Sequence, residues 1–343
     1  MESADHYIDS NGLIAKWTST DFASITANGR NGNGILFTNS GFVSKTLDHQ
    51  STWIYSWAWY TTITFGGGGG PANVWACAHV GTNLVYLQIE QDGTFSFVTP
   101  FGIVISNSTP FSIHNNTWYN LQVKCTISGG GGQSGNDAQT TVALKVNGAL
   151  VAGGIGDTGF QTTQLRLQTN TANHHIFFGQ PGTIIDDLAI ADNEGAPPHV
   201  VDYMGDVQIG ALTVRSDNAV SWNIQPGSPT THFDKVDQIT GTKALDSSYI
   251  FSQTHGQQDI FNWQPTSQTI IVGVHCGAYV RKDAEGTRSF QLIVTSGAGA
   301  QQSPIFYPGD TYTYFFYAMD TDSSAVWTQS SFDAITGGIQ EVT

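Results

Sequence analysis

Asn116-Thr-Trp-Tyr-Asn-Leu-Gln-Val-Lys-Cys-Thr-Ile-Ser128 is followed, after a Gly/Ser/Asn/Asp run from Gly129 to Asp137, by Thr140-Thr-Val-Ala-Leu-Lys-Val146 and then Asn147-Gly148. In the first segment Trp118, Asn120, Gln122 and Lys124 alternate with Tyr119, Leu121, Val123 and Cys125. That period of two marks a strand with one buried and one wet face. Asn-Gly is the strongest short hairpin signal, because both residues tolerate the positive φ of a type I′ turn. Ala149-Leu-Val151 is then the returning strand, and the stretch predicts three consecutive antiparallel strands. A meander with one apolar face needs a second sheet to cover it, which predicts a β-sandwich.

The surrounding chain has the same character. Its 343 residues include 39 Gly, 12 Lys plus Arg and five Glu, with β-branched and aromatic residues in plenty, so the fold class expected is all-β. The length allows two domains with substantial cores. Net charge is -15 and is spread along the chain without a basic patch, so neither nucleic acid nor an anionic membrane is an expected partner. Acidity of this kind keeps a β-rich protein in solution. Cys77, Cys125 and Cys276 are an odd count without CxxC spacing, which argues against a disulfide framework or a zinc site. Met1-Glu-Ser-Ala-Asp5 is acidic with no apolar run behind it, so no secretory signal is expected, and no apolar stretch reaches membrane-spanning length.

Short strands punctuated by turn residues fill residues 12–191. In Thr52-Trp-Ile-Tyr-Ser-Trp-Ala-Trp-Tyr-Thr61 the rings of Trp53, Tyr55, Trp57 and Trp59 share one face of an extended segment. Such a stripe is either core or a platform on which sugar rings stack, and core is the commoner outcome. Ala196-Pro-Pro-His-Val-Val201 marks a boundary, placing domains at 1–197 and 198–343. Beyond it strands are expected within 205–215, 269–282, 289–294 and 311–317, and a short helix over 330–336 stopped by Gly337-Gly338.

Asn116-Thr-Trp-Tyr-Asn-Leu121, Ala143-Leu-Lys-Val-Asn-Gly148 and Ile185-Asp-Asp-Leu-Ala-Ile190, in this order, resemble the concanavalin-A-like, laminin-G-like jelly-roll family over residues 1–195. The second half resembles a β-sandwich module of tailed-bacteriophage structural proteins. The residues that carry this are Gly205-Asp-Val207, Trp222, Val236-Asp237, Tyr249, Gly256-Gln-Gln-Asp259, Val272-Gly-Val274, Ala278-Tyr-Val-Arg-Lys282 and Trp327-Thr328. Together the resemblances imply a two-domain accessory structural protein of a phage particle, without catalysis. It would sit in the virion, on the tail rather than the head, as a trimer or ring among other virion proteins. A fold shared by lectins and glycosidases leaves two alternatives, a host-glycan-binding adhesin and a polysaccharide hydrolase.

For the adhesin, Trp53, Trp57, Trp59 and Trp75, with the loops 66–71 and 129–137, are the candidate carbohydrate-binding residues. For the hydrolase two carboxylates must flank one cleft. Glu90 with Asp92 at a turn, and Glu194 near Asp192, are the only Glu-centred pairs of the first half, so no catalytic residue is assigned. Asp186-Asp187 reads as half of a metal site or, more simply, as a strand-crossover pair in which one carboxylate points outward and the other takes up backbone or loop donors. Acidic, oxygen-rich loops permit calcium, but no ligand spacing specifies it, and no cofactor is expected. His174-His175 are adjacent and face opposite sides of a strand. Gly154-Ile-Gly-Asp-Thr-Gly159 matches GxGxxG without a following helix and reads as a glycine-rich loop.

Overall fold

The computed structural model describes residues 17, 19–30, 32–47, 52–62, 72–79, 82–90, 92–98, 104–107, 111, 113–128, 137–161, 174–178, 182–192, 202–227, 230–237, 248–283, 286–319 and 321–343. The chain divides into two compact units, the first comprising 1–195 with 200–209 and the second 196–199 with 210–343. The first unit therefore runs on to Ile209, past the boundary expected at 197/198.

The strands of the first unit are β1 (Ser19–Thr26), β2 (Gly34–Leu47), β3 (Thr52–Thr61), β4 (Ala72–His79), β5 (Thr82–Ile89), β6 (Phe95–Val98), β7 (Val104–Asn107), β8 (Thr117–Ser128), β9 (Asp137–Val146), β10 (Ala149–Gln161), β11 (His174–Phe178) and β12 (Thr183–Asp192). They form one antiparallel sheet in the order β10-β9-β8-β3-β12-β2-β11-β4-β5-β6-β7, with β1 on β2. The sheet curls until β10 lies against β6 and β7, which closes it as a jelly-roll sandwich.

The predicted meander is β8, β9 and β10, and its turn has positive φ at Asn147 (50°) and Gly148 (84°). Register explains the core. Tyr55, Trp57 and Trp59 pair with Val123, Leu121 and Tyr119 on β8, and Val123 and Leu121 pair on to Leu144 and Val146 of β9. Odd positions of β3 and β8 thus share the inner face with Val142, Leu144 and Val146. β10 extends through Gly154–Gly159, so the GxGxxG match is strand rather than loop. The strand expected over 12–18 lies outside the described residues except for buried Trp17.

On β12 the pairing with β3 shifts between Asp186 and Ala189, and Asp187 has φ 52°. This is a bulge that sets two residues against one and bends the strand. It turns Leu188 into the core while Asp186 and Asp187 are buried on the other face. That outer face is covered by residues 202–209, a strap without regular structure whose Val207 is buried.

The second unit contains β13 (Val214–Val220), β14 (Asn223–Ile224), α1 (His232–Val236), β15 (Ile250–Phe251), β16 (Gln258–Trp263), β17 (Val274–Val280), β18 (Phe290–Ser296), β19 (Gly299–Gln302), β20 (Thr313–Met319), α2 (Gln329–Asp333) and β21 (Thr336–Glu341). A five-stranded antiparallel sheet, β13-β16-β21-β18-β19, faces the pairs β17-β20 and β14-β15 across a core of Cys276, Phe290, Leu292, Val294, Met319, Trp327, Ile335 and Ile339. The predicted helix is α2, capped by the Thr328 hydroxyl on the Ser331 amide. Gly337-Gly338 do not stop it. They belong to the central strand β21, where a Cβ on Gly338 would stand 1.8 Å from the Asp259 carbonyl oxygen and one on Gly337 2.9 Å from that of Ile293. Their conformational freedom suggested a helix stop, whereas close approach between strands is what requires them.

Candidate functional site

The four tryptophans expected to bind sugar do not reach the surface. Trp53 is 6% exposed, Trp57 0%, Trp59 1% and Trp75 1%. Tyr55 and Trp75 lie with ring centroids 5.2 Å apart, and Trp59 packs on Phe95 and Tyr119 at 6.4 and 6.1 Å. Central strands are buried on both faces, so these rings offer no face to a pyranose, and they are corrected to core residues. The loops 66–71 and 129–136 lie outside the described residues, as does Glu194. Asp92 is fully exposed and accepts from the Thr94 hydroxyl and amide at 2.7 and 2.9 Å, contacts that hold its carboxyl below the usual range. Glu90 donates its amide to the Thr94 carbonyl in the same turn. This pair builds a hairpin turn.

Neither Asp186 nor Asp187 points outward as expected for one of them: both are buried, and both take up backbone donors. Asp186 accepts from the Arg30 amide at 3.0 Å and from the Asp187 amide at 2.8 Å, and Asp187 accepts from the Ile209 amide at 2.8 Å. Arg30 grips Asp206 through two bonds of 2.6 Å and lies 3.7 Å from Asp187, so its guanidinium stays protonated more firmly than usual. Among the described residues no three His, Cys, Asp or Glu side chains are grouped to hold a metal. The side chains of His174 and His175 are outside the described set.

What the structure does assemble is a cleft of about 530 Å³ within the second unit, in the size range of small-ligand sites. Its walls come from β17 and β20, from the segment around β15 and from the ends of β18 and β21. β17 and β20 pair only with each other, in the register Tyr279↔Tyr314 and Gly277↔Phe316. Inward go Cys276, Ala278, Val280, Phe315 and Tyr317; outward go His275, Tyr279, Tyr312, Tyr314 and Phe316. The outward rings touch in series. Arg281 lies over Tyr312 at 4.9 Å, Tyr312 stacks on Tyr279 at 5.5 Å, and His275 meets Phe316 at 4.7 Å. Tyr314 lies across Gly277, where a Cβ would come within 2.0 Å of its hydroxyl oxygen. Glycine here lets a tyrosine ring lie flat on the sheet.

Polar groups converge on the same cleft. Asp259 is completely buried and accepts from the Ser221 and Trp222 amides, both at 2.8 Å, while its other oxygen meets His232 Nδ1 at 2.5 Å. Held this way, Trp222 forms part of the wall, and its indole Nε1 is buried without a hydrogen-bond partner among the described residues. Glu341 is bound to Arg288 through one oxygen at 3.2 Å, and its other oxygen is likewise buried and unpartnered. Both atoms are sealed from solvent, so each stays unsatisfied at a cost of roughly 1–3 kcal/mol without facing the cleft. Cys276, also in the wall, has its thiol pushed up to about 12 by burial and is inert.

Sequence reading placed Tyr312, Tyr314 and Phe316 on a strand but did not single them out. Their period of two is the same signal that picked out Trp53, Trp57 and Trp59. Strand position decides its meaning: β3 lies between β8 and β12, whereas β20 pairs with β17 alone and carries the exposed Phe316.

No protein-family model matches the chain, and no curated protein matches it. Among solved structures it is similar to the alginate lyase of Aplysia kurodai, at 11% identity over 50% of this chain and 87% of that one, with a TM-score of 0.35. It is similar to domain 4 of an extracellular arabinanase of Geobacillus stearothermophilus in complex with arabinotriose, at 13% identity, 50% and 76% coverage and a TM-score of 0.33. It is also similar to the sialidase of Trypanosoma rangeli, at 11% identity, 49% and 26% coverage and a TM-score of 0.31. These likenesses bring no substrate, reaction or residue role to this chain. They do correct one expectation: the neighbours are lyases and hydrolase-type enzymes, so the statement that the protein is not an enzyme is withdrawn.

Proposed function

We propose that the protein binds carbohydrate, and that the cleft of the second unit is the binding site. The observation that carries this is a cavity of about 530 Å³ walled by Tyr279, Tyr312 and Tyr314 together with the polar side chains of Gln253, Arg281, Asp283 and Arg288. A pyranose has an apolar C–H face that packs on an aromatic ring, and hydroxyls that each donate and accept. Tyr314, Tyr279 and Tyr312 supply the rings; Gln253, Arg281, Asp283 and Arg288 supply the polar partners. The test is isothermal titration of the purified chain against saccharides first selected on a glycan array. Tyr314→Ala and Tyr312→Ala should each weaken binding about tenfold or more, the loss of a good aromatic contact. An array without a hit, or a hit that both variants retain at full affinity, overturns the reading.

A second element of the proposal is the setting. Trp222, Tyr249 and Ala278–Lys282, among the residues that resemble a tailed-phage structural module, line this same cleft. This favours a component of a phage particle that presents the cleft to a host surface glycan, among other virion proteins and in a ring or trimer. Labelled antibody against the chain should decorate particles, at the tail rather than the head. Particles that stay unlabelled while the free chain is recognised would remove the virion setting and leave sugar binding untouched.

A further inference from the structure

Positive charge is scarce in this chain and unevenly placed. Of 12 Lys and Arg in 343 residues, Arg281, Lys282 and Arg288 fall within eight positions between β17 and β18, and all three line the cleft. Two carboxylates, Asp283 and Glu341, line it with them. A chain of net charge -15 thus lines its cleft with three cations against two carboxylates. At physiological ionic strength a charge is felt over about 8 Å, so a ligand in the cleft meets that lining rather than the charge of the whole chain.

The carboxylates offer an anion little opposition. Glu341 is buried, with one oxygen held by Arg288 Nη1 at 3.2 Å and the other sealed from solvent. Asp283 is exposed, where water and salt screen its charge. The half-buried cations are better placed. Glu341 engages only Nη1 of the Arg288 side chain, which is 42% exposed, and a guanidinium carries five N–H donors in a planar fork. Lys282 is fixed through its amide on the Gly309 carbonyl at 2.8 Å, and its Nζ donates to the Gly286 carbonyl at 2.8 Å. Among the described residues that ammonium meets no carboxylate.

We infer that the saccharide held in this cleft is acidic, its ring packed on the tyrosine wall and its carboxylate paired with Arg288, with Lys282 adding to the attraction. The inference rests on the cleft being a sugar site and adds the chemical class of the sugar. A carboxylate matches the guanidinium fork in shape as well as in charge, and a cleft of locally positive lining concentrates anions that the acidic remainder of the chain repels.

The experiment titrates the full chain with galacturonate, glucuronate and mannuronate trisaccharides and with sialyllactose, each beside its carboxyl methyl ester, at low and high salt. One acid should bind about tenfold or more tighter than its ester, and the advantage should shrink as salt rises. Lys282→Gln and Arg288→Gln should each lower that advantage at least about threefold and leave the ester's affinity unchanged. Arg288→Gln also strands the buried Glu341, so Lys282→Gln decides the matter where circular dichroism shows the Arg288 variant unfolded. Binding confined to neutral saccharides, an ester as tight as its acid, or an advantage that both folded variants keep overturns the inference and leaves the sugar site standing. Binding of no acid, ester or array glycan overturns both.

Discussion

The Gly205 amide donates to Gln122 Oε1 at 2.9 Å, tying the strap to the middle of the first unit's sheet. The contact ends a polar row across β3 and β8: Gln122 Nε2 donates to Asn120 Oδ1 at 2.8 Å, Asn120 Nδ2 to the Ser56 hydroxyl at 3.2 Å, and that hydroxyl to the Gly205 carbonyl at 3.3 Å. All three side chains are buried, so the outer face of the sheet is polar without being wet. Their partners come from the strap, which explains why strand residues that alternate as though solvent-facing are sealed.

Gln122→Leu should therefore destabilise the first unit by about 2 kcal/mol, because it strands the Gly205 amide and the Asn120 carbonyl oxygen in a dry site. Urea denaturation measures the loss, and hydrogen exchange should quicken at residues 202–209 first. Unchanged protection of the strap in the variant would show that the polar row does not hold it.

Strap attachment should also depend on pH, on two limbs. Its hydrogen bond with Lys124 holds the Asp202 carboxyl below the usual 3.8. A depressed carboxyl contributes stability above its unfolded value and loses it as pH falls through the lower folded one. Burial, then the neighbouring Asp202 charge, pushes the Tyr203 phenol from 10.0 up to about 12. A raised group contributes fully below its unfolded value and loses that as pH rises to the folded one, so this limb falls between pH 10 and about 12. Melting temperature against pH should be flat between the limbs. Tyr203→Phe should make the alkaline limb shallower and leave the acid limb alone, a small effect on the acid side because Asp202 is largely exposed.

Trp57→Ala should act on stability rather than on ligand. The ring is completely buried at the middle of β3 opposite Leu121, and its removal leaves a cavity costing roughly 3–5 kcal/mol. Chemical denaturation reads the loss. A stable Trp57→Ala protein with weakened saccharide binding would return that tryptophan to the site.

These outcomes show what local sequence carries. Alternation in Asn116–Ser128 and the Asn147-Gly148 turn settle β8, β9 and β10, because a strand's face and a hairpin's turn are determined within a dozen residues. Thr328 with Ser331 likewise gives α2 its start. Which face of a strand meets solvent is decided elsewhere. Asn120 and Gln122 alternate as wet positions and are sealed by a segment some eighty residues on, while Tyr314 and Phe316 alternate as core positions and stay partly uncovered. Trp222 and Glu341 are brought to one cleft only through strand order. No spacing along the chain announces them.

Asp259 links fold to site, and Gly338→Ala should expose that link. The added methyl would sit 1.8 Å from the Asp259 carbonyl oxygen, in a pairing where Ile260 faces Gly338. β16 and β21 must part to admit it, an overpacking cost of about 1–3 kcal/mol or more. Because the Asp259 carboxylate holds the Trp222 amide and the His232 ring, movement of β16 should also shift Trp222 on the cleft wall. The variant should then show a lower denaturation midpoint together with a changed tryptophan emission. Asp259→Asn, which keeps the strand packing and weakens the charge-assisted bonds, should reproduce the emission change with a smaller loss of stability. Emission that changes in Gly338→Ala and stays fixed in Asp259→Asn would mean that strand displacement, rather than the carboxylate, positions the indole.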